Sequence, residues 1–186
     1  AKLNLKGNRM YEKMSKDLDI PFLKCGGVVV ALNNEQVKTI NELYDKAIQN
    51  GLTKDEVKII SKSVVKSMEP NIVDSVVKGL SLPTTAVTYP FEVTVANMEN
   101  AIDNGVELLL DTEVIKIEKK DLFHVTTTKG LVKGKVIINV TGINASTINE
   151  LVNKDYFKIK PRRGEYYVLD SDVNLVNGVV YPTPTT

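Results

Sequence analysis

The chain has 186 residues, of which 42% are hydrophobic and 25% are charged, so it is neither a disordered tail nor a collagen. Its single cysteine, Cys25, excludes an internal disulfide and a multi-cysteine metal site, and a reducing cytoplasm is the expected location. Lys and Arg total 24 against 23 Asp and Glu, and this net charge of +1 predicts no nucleic-acid partner.

The first half of the chain predicts helices that alternate with strands. Apolar residues at helical spacing predict a helix that ends at Pro21, and an amphipathic stripe runs from Val37 to Ile48. Thr53 and Glu56 form a capping box that predicts a further short helix. The other elements predicted here are a strand over 23–32, a helical turn over 62–68 and a strand over 75–82.

Strands dominate the second half. Pro90 suits the first turn of a helix, which Asn104 and Gly105 end. The later predicted elements are a strand over 106–120 with a bend at 111–112, strands over 122–128 and 131–140, a helix over 146–152, and antiparallel strands over 161–170 and 175–181 with a turn at 170–172. The chain is therefore predicted to be α+β.

Several residues with reactive side chains have simpler structural explanations. A lone strand histidine such as His124 is more often a surface or satisfied core residue than a catalytic base. Cys25 has no histidine near it in sequence, which favours a small buried thiol over a nucleophile. The segment from Gly130 to Lys135 lacks the spacing of a phosphate-binding loop and is typical of a hairpin turn.

Arg162 and Arg163 are the most informative charged pair, because a guanidinium can bind a carboxylate or a phosphate through two parallel hydrogen bonds. A surface role is nevertheless the commoner fate of such a pair. Tyr166 and Tyr167 would put one ring on each face of the predicted strand, so that one packs in the core and the other could line a pocket. These patterns alone name no reaction.

Four stretches, taken together and in order, are more specific than any single motif. They are EPNIVDSVVKGLSLPTTAVTYPFEVTVANMENAIDNGVELLLDTEVIKIE, KVIINVTGINASTI, IKPRRGEYYVLD and VVYPTPTT. These stretches resemble the middle of the FAD-dependent oxidoreductases of the D-amino-acid oxidase superfamily. The resemblance is strongest to the anaerobic-type glycerol-3-phosphate dehydrogenases and the L-2-hydroxyglutarate oxidases.

This resemblance implies a mixed or antiparallel substrate-domain sheet with helices, together with part of a Rossmann-like FAD-binding sheet. Residues 1–22 and 90–155 would belong to the FAD-binding domain. Residues 23–89 and 156–186 would form the substrate-binding domain.

The resemblance also implies site residues. Val114, Thr141 and Gly142 would contact FAD, with Val114 acting through its main chain and Gly142 allowing close approach of the backbone. Without the resemblance, Thr141 and Gly142 would be interpreted as a plain turn from strand to helix. Arg163 and Tyr167 are the side chains that we expect to face the substrate, and no catalytic residue and no metal ligand is assigned.

The G-x-G-x-x-G fingerprint with which the family begins is not present in the sequence. We therefore expect an internal fragment of a longer flavoenzyme. The FAD pyrophosphate is normally held by that glycine-rich turn and a helix N-terminus, so this chain alone is expected to bind no FAD with useful affinity.

Two functions remain open at this point. The full-length enzyme would oxidise a small anionic 2-hydroxy compound, with glycerol 3-phosphate first and L-2-hydroxyglutarate second. Alternatively, the chain is a ligand- or partner-binding module without catalysis. In the enzyme, regions outside this sequence could contact a membrane or an electron acceptor, and unpaired sheet edges could pair two copies of the chain.

Overall fold

The computed structural model describes residues 2–153, 157–170 and 173–184. Its helices are α1 (Lys2–Asp17), α2 (Asn34–Gln49), α3 (Lys62–Met68), α4 (Pro90–Asp103) and α5 (Ala145–Glu150). Its strands are β1 (Phe22–Leu23), β2 (Gly27–Ala31), β3 (Lys58–Ser61), β4 (Lys78–Leu82), β5 (Val87–Thr88), β6 (Val114–Lys119), β7 (Phe123–Thr127), β8 (Gly130–Gly134) and β9 (Val179–Pro182). The predicted α+β class is confirmed.

Ala1–Val106 and Leu169–Thr186 form one compact unit, which we call unit 1. Its main sheet has the strand order β3-β4-β2-β9. β2 and β4 are antiparallel, as are β3 and β4, whereas β9 runs parallel to β2. A separate antiparallel pair joins β1 to β5.

The central strand β2 is buried along its whole length. Val29 packs in a cluster with Ile40 of α2, while Val28 and Val30 pack in a second cluster with Val65 of α3. Successive side chains of a strand point to opposite faces, so these two clusters occupy the two faces of the sheet. Coverage on both faces explains why β2 is an unbroken apolar run.

Polar contacts attach α1 to the rest of unit 1. Arg9 Nη2 lies 3.1 Å from both carboxylate oxygens of Glu56. The Thr53 amide donates to Glu56 Oε2 at 2.8 Å, as expected for a capping box. The short helix predicted after Thr53 is wrong, however, because the chain makes only a turn before β3 begins at Lys58.

Glu107–Val168 form a second compact unit, unit 2. Its sheet is an antiparallel meander with the order β6-β7-β8. Thr127 Oγ1 donates to the carbonyl of Gly130 at 2.8 Å and accepts from the Lys129 amide at 3.2 Å. These bonds close the β7–β8 hairpin and confirm that the glycines after Lys129 do not form a phosphate loop.

Two predicted strands are shorter than expected, and a third is absent. The strand expected over 106–120 begins only after the bend, at Val114, and the strand expected over 131–140 ends at Gly134. Residues 161–170 form no strand, and the predicted turn partly lies outside the described residues. β9 pairs in parallel with β2 and not with 161–170. A strand forms only where a neighbouring strand can hydrogen-bond its main-chain N–H and C=O groups. The alternation of side chains in the sequence does not show whether such a neighbour exists.

The two units have different boundaries from the predicted domains. Residues 2–22 and α4 lie in unit 1 with the segment predicted to bind substrate, and 157–168 lie in unit 2. The assignment of these segments to FAD-binding and substrate-binding domains stays a prediction. Within the described residues, no helix is both long and apolar enough to cross a bilayer.

Candidate functional site

The turn between β8 and α5 contains Thr141 and Gly142, two of the predicted cofactor contacts. Asn139 Oδ1 accepts a hydrogen bond from the Thr141 hydroxyl at 2.7 Å and lies 3.3 Å from the Thr141 amide nitrogen. Asn139 Nδ2 donates to the carbonyl of Ala145 at 2.8 Å. Asn139 therefore ties the two sides of the turn together. The sequence reasoning missed it, although an amide side chain in the apolar run VIINV was a usable signal.

Gly142 has a φ of 57°, in the left-handed region that favours glycine. Beyond the adjoining main chain, no heavy atom of the described residues lies within 4 Å of the position that a Cβ would take on Gly142. The main chain is therefore open on that side of the turn. This geometry suits the close approach of a ligand to the backbone.

Val114 is the first residue of β6 and is half-buried. It pairs with Thr127 of β7, and the register shifts between Val114 and Lys116. Such a bulge bends the strand locally and increases its twist.

The three predicted cofactor contacts lie in different elements of the structure. Val114 lies on β6, while Thr141 and Gly142 lie in a turn after the irregular segment 135–141. All three belong to unit 2. Their contacts with FAD stay predictions.

Arg163 and Tyr167, the predicted substrate contacts, lie on an exposed segment without regular structure. Arg163 Nε is 3.5 Å from Glu165 Oε1, and Tyr167 is 99% exposed. Tyr166 is also exposed, so neither ring packs in the core as the strand phase predicted. Both tyrosines are therefore available to a ligand or to another part of the protein.

The other reactive side chains do not form a site within the described part of the chain. His124 Nε2 lies 3.7 Å from Asp121 Oδ1, and Cys25 is a half-buried free thiol. No group of three or more metal-ligating side chains occurs among these residues. Cys25 is therefore less buried than the small buried thiol that the sequence favoured.

Exposed ion pairs set the electrostatics of both units. A hydrogen bond from Lys24 lowers the pKa of Glu12, and Lys66 lowers that of Asp74 in the same way. The Thr53 amide, with a further contribution from Arg9, lowers the pKa of Glu56. In unit 2, Lys116 lowers the pKa of Glu118. These carboxylates are compensated by their neighbours and lie outside the predicted site.

A family profile described as FAD dependent oxidoreductase matches residues 1–186. The chain belongs to this family. It is 40% identical to a glycerol 3-phosphate dehydrogenase of Caloramator mitchellensis, over all of this chain and 38% of the relative. It is 29% identical to an L-2-hydroxyglutarate dehydrogenase of Indibacter alkaliphilus, over 99% of this chain and 46% of the relative.

The fold of this oxidoreductase chain matches that of L-alpha-glycerophosphate oxidase from Mycoplasma pneumoniae, solved with FAD bound. The TM-score is 0.79 at 21% identity, over 97% of this chain and 49% of the oxidase. The chain thus spans less than half the length of these three proteins. The family resemblance inferred from the sequence motifs is confirmed.

Proposed function

We propose that this chain is part of an FAD-dependent dehydrogenase that oxidises glycerol 3-phosphate. The observation that carries the proposal is the 40% identity to a glycerol 3-phosphate dehydrogenase, which extends over the whole chain. L-2-hydroxyglutarate is the second candidate substrate, supported by the 29% identity to a dehydrogenase named for it.

FAD, when bound, would accept the hydride from the substrate carbon. Gly142 fits this cofactor because its backbone is open and no neighbouring atom occupies the position of a Cβ. Val114 and Thr141 would add main-chain contacts. The pyrophosphate would be held elsewhere, since the sequence contains no G-x-G-x-x-G motif.

Arg163 and Tyr167 would bind and orient the substrate. The Arg163 guanidinium can donate two parallel hydrogen bonds to a phosphate or a carboxylate. Its ion pair with Glu165 is exposed and therefore weak, so an anionic substrate can replace Glu165 as the partner of Arg163. The Tyr167 hydroxyl can donate to or accept from a substrate hydroxyl. Both side chains are free of core packing, so substrate could order them without disrupting the fold.

The test uses the complete gene product loaded with FAD. Anaerobic addition of glycerol 3-phosphate should bleach the flavin absorbance, and L-2-hydroxyglutarate should do so much more slowly. The reverse preference would establish the second candidate. Failure to bleach with either compound would contradict the enzyme proposal and favour the binding-module alternative.

An arginine pair offers a matched test of the substrate contact. Arg163→Ala should raise KM for glycerol 3-phosphate about ten-fold or more, because a charge-assisted bidentate contact is lost. The control Arg162→Ala should change KM less than about two-fold. Equal effects of both substitutions would mean that Arg163 contributes only general positive charge.

The 186-residue chain alone should bind no FAD with useful affinity, because the contacts at Val114 and Gly142 are too few to offset immobilisation of a large ligand. Calorimetric titration with FAD measures this directly. Tight stoichiometric binding would reveal a phosphate site within this chain.

We also propose a cytoplasmic location, and pairing of two copies through a free sheet edge. The edge strands of the two larger sheets are β3 and β9 in unit 1 and β6 and β8 in unit 2. Sedimentation at increasing protein concentration tests the pairing, and a mass that stays monomeric would contradict it.

A further inference from the structure

Glu69, the residue after α3, is a buried carboxylate that binds a distant segment of the chain. Only 4% of the residue is exposed. Its Oε2 accepts the Asn177 amide and its Oε1 accepts the Gly178 amide, each at 2.8 Å. These partners lie more than a hundred residues away in sequence, directly before β9.

The two main-chain amides take the place of a cation. Within the described residues, no Lys, Arg or His forms an ion pair with Glu69. A buried carboxylate is costly unless hydrogen bonds satisfy it, and bonds to a charged acceptor are stronger than neutral ones. The fold therefore places a buried carboxylate at the point where Asn177 and Gly178 must lie.

Further contacts hold the same segment. Asn177 Nδ2 donates to the carbonyl of Met68 at 2.7 Å, and Asn71 Nδ2 donates to the carbonyl of Leu175 at 3.1 Å. A Cβ on Gly178 would lie 2.8 Å from the carbonyl oxygen of Cys25, a distance that requires displacement. Residues 175–178 are thus tightly seated against two separate parts of unit 1.

β9 depends on this attachment because its own pairing is limited. It has four residues, lies at the sheet edge and pairs in parallel, which is slightly weaker per residue than antiparallel pairing. In the observed register, Val180 packs with the cluster of Val28 and Val30. A slip by one residue would turn Val180 away from that cluster and put Tyr181 in its place.

We propose that Glu69 is a positioning residue that fixes the register of β9 on β2 by binding the amides of Asn177 and Gly178. This inference rests on the proposed function, in which this sheet belongs to the substrate-binding part. Correct placement of β9 then contributes to substrate affinity and not to the chemical step.

Hydrogen exchange tests whether Glu69 fixes the register of β9 on β2. The Val179 amide donates to the carbonyl of Gly26 at 3.1 Å and so reports the β2–β9 pairing one residue beyond the Glu69 contacts. In Glu69→Gln, this amide should exchange about ten-fold faster or more, because the neutral side chain has one acceptor oxygen and turns an NH2 donor toward the second main-chain amide. Glu42→Gln, an exposed change of the same charge on α2, should leave the exchange of Val179 unchanged.

Kinetics of the complete FAD-loaded protein test whether the placement of β9 contributes to substrate affinity. Glu69→Gln should raise KM for glycerol 3-phosphate about five-fold or more while kcat stays within about two-fold. Unchanged exchange at Val179, or an unchanged KM at full flavin content, would overturn the proposal. If the wild-type protein oxidises no 2-hydroxy compound, the proposed function fails, and the exchange of Val179 alone decides whether Glu69 fixes β9.

Gly178→Ala provides a second variant that keeps Glu69 in place. Its Cβ would push the same segment away from Cys25, so it should raise both the exchange rate of Val179 and KM. If Glu69→Gln does not fold, this variant decides the outcome. Normal exchange at Val179 and normal KM in Gly178→Ala would then contradict the proposal.

Discussion

Unit 1 and unit 2 bury their apolar side chains to different degrees. In unit 1, β2 is covered on both faces by clusters that include residues of α2 and α3. In unit 2, Ile117 is the buried hydrophobic residue found among the described positions, and Val136, Ile138 and Val140 are exposed. The same β-branched composition therefore produces a buried strand only where neighbouring strands and helices supply partners.

Two isoleucines of the 186-residue chain should differ most strongly in their contribution to stability. Ile40 has no exposed surface, whereas Ile138 is 79% exposed. Ile40→Ala should lower the free energy of unfolding of unit 1 by about 2–5 kcal/mol because it leaves a cavity. Ile138→Ala should change that of unit 2 by less than about 0.5 kcal/mol.

Urea denaturation read by hydrogen exchange of peptides from each unit measures both values. A comparable cost for Ile138→Ala would show that segment 135–141 is packed in solution, and would remove the contrast between the units.

A smaller effect compares two strand glycines. A Cβ on Gly79 of β4 would lie 2.6 Å from Val65 Cγ2 and 2.9 Å from Val28 Cγ2, whereas on Gly134 of β8 the nearest atom would be 3.4 Å away. Gly79→Ala should cost about 1–3 kcal/mol through overpacking. Gly134→Ala should stay within about 0.5 kcal/mol of the wild type. Equal midpoints in the same denaturation experiment would mean that unit 1 has room to relax.

The smallest change in stability is expected for two carboxylates whose pKa values are lowered. Such a group stabilises the fold above its ordinary pKa, and that stabilisation is lost as the pH falls through the lowered value. Glu56 binds the Thr53 amide and Arg9, which lies 47 residues away, whereas Glu118 binds Lys116, two positions away on β6. The local pair can also form in the unfolded chain, so it contributes less.

Melting temperatures measured from neutral to acidic pH test this difference. Glu56→Gln should lower the melting temperature at neutral pH, and the gap to the wild type should close as the pH falls below the ordinary glutamate pKa of 4.5. Glu118→Gln should show a smaller gap throughout. A gap for Glu56→Gln that widens in acid would contradict the assigned direction of the pKa.

The sequence predicted elements and motifs whose signals are local. The amphipathic stripe from Val37 to Ile48 predicted α2, and Pro90 marked the start of α4. The family motifs predicted the FAD-dependent oxidoreductase family. For the candidate site, the sequence predicted a turn at Thr141 and Gly142, and the positive φ of Gly142 gives that turn a physical basis.

Which strands pair, and which polar groups are buried together, depends on the folded chain and not on local sequence. The periodicity of 161–170 resembled a strand, yet β9 pairs with β2, because pairing depends on an edge that becomes available only in the folded chain. The capping contact of Thr53 and Glu56 formed without a helix, since β3 begins too soon after it. Glu69 gave no local signal, because its partners Asn177 and Gly178 reach it only through the fold.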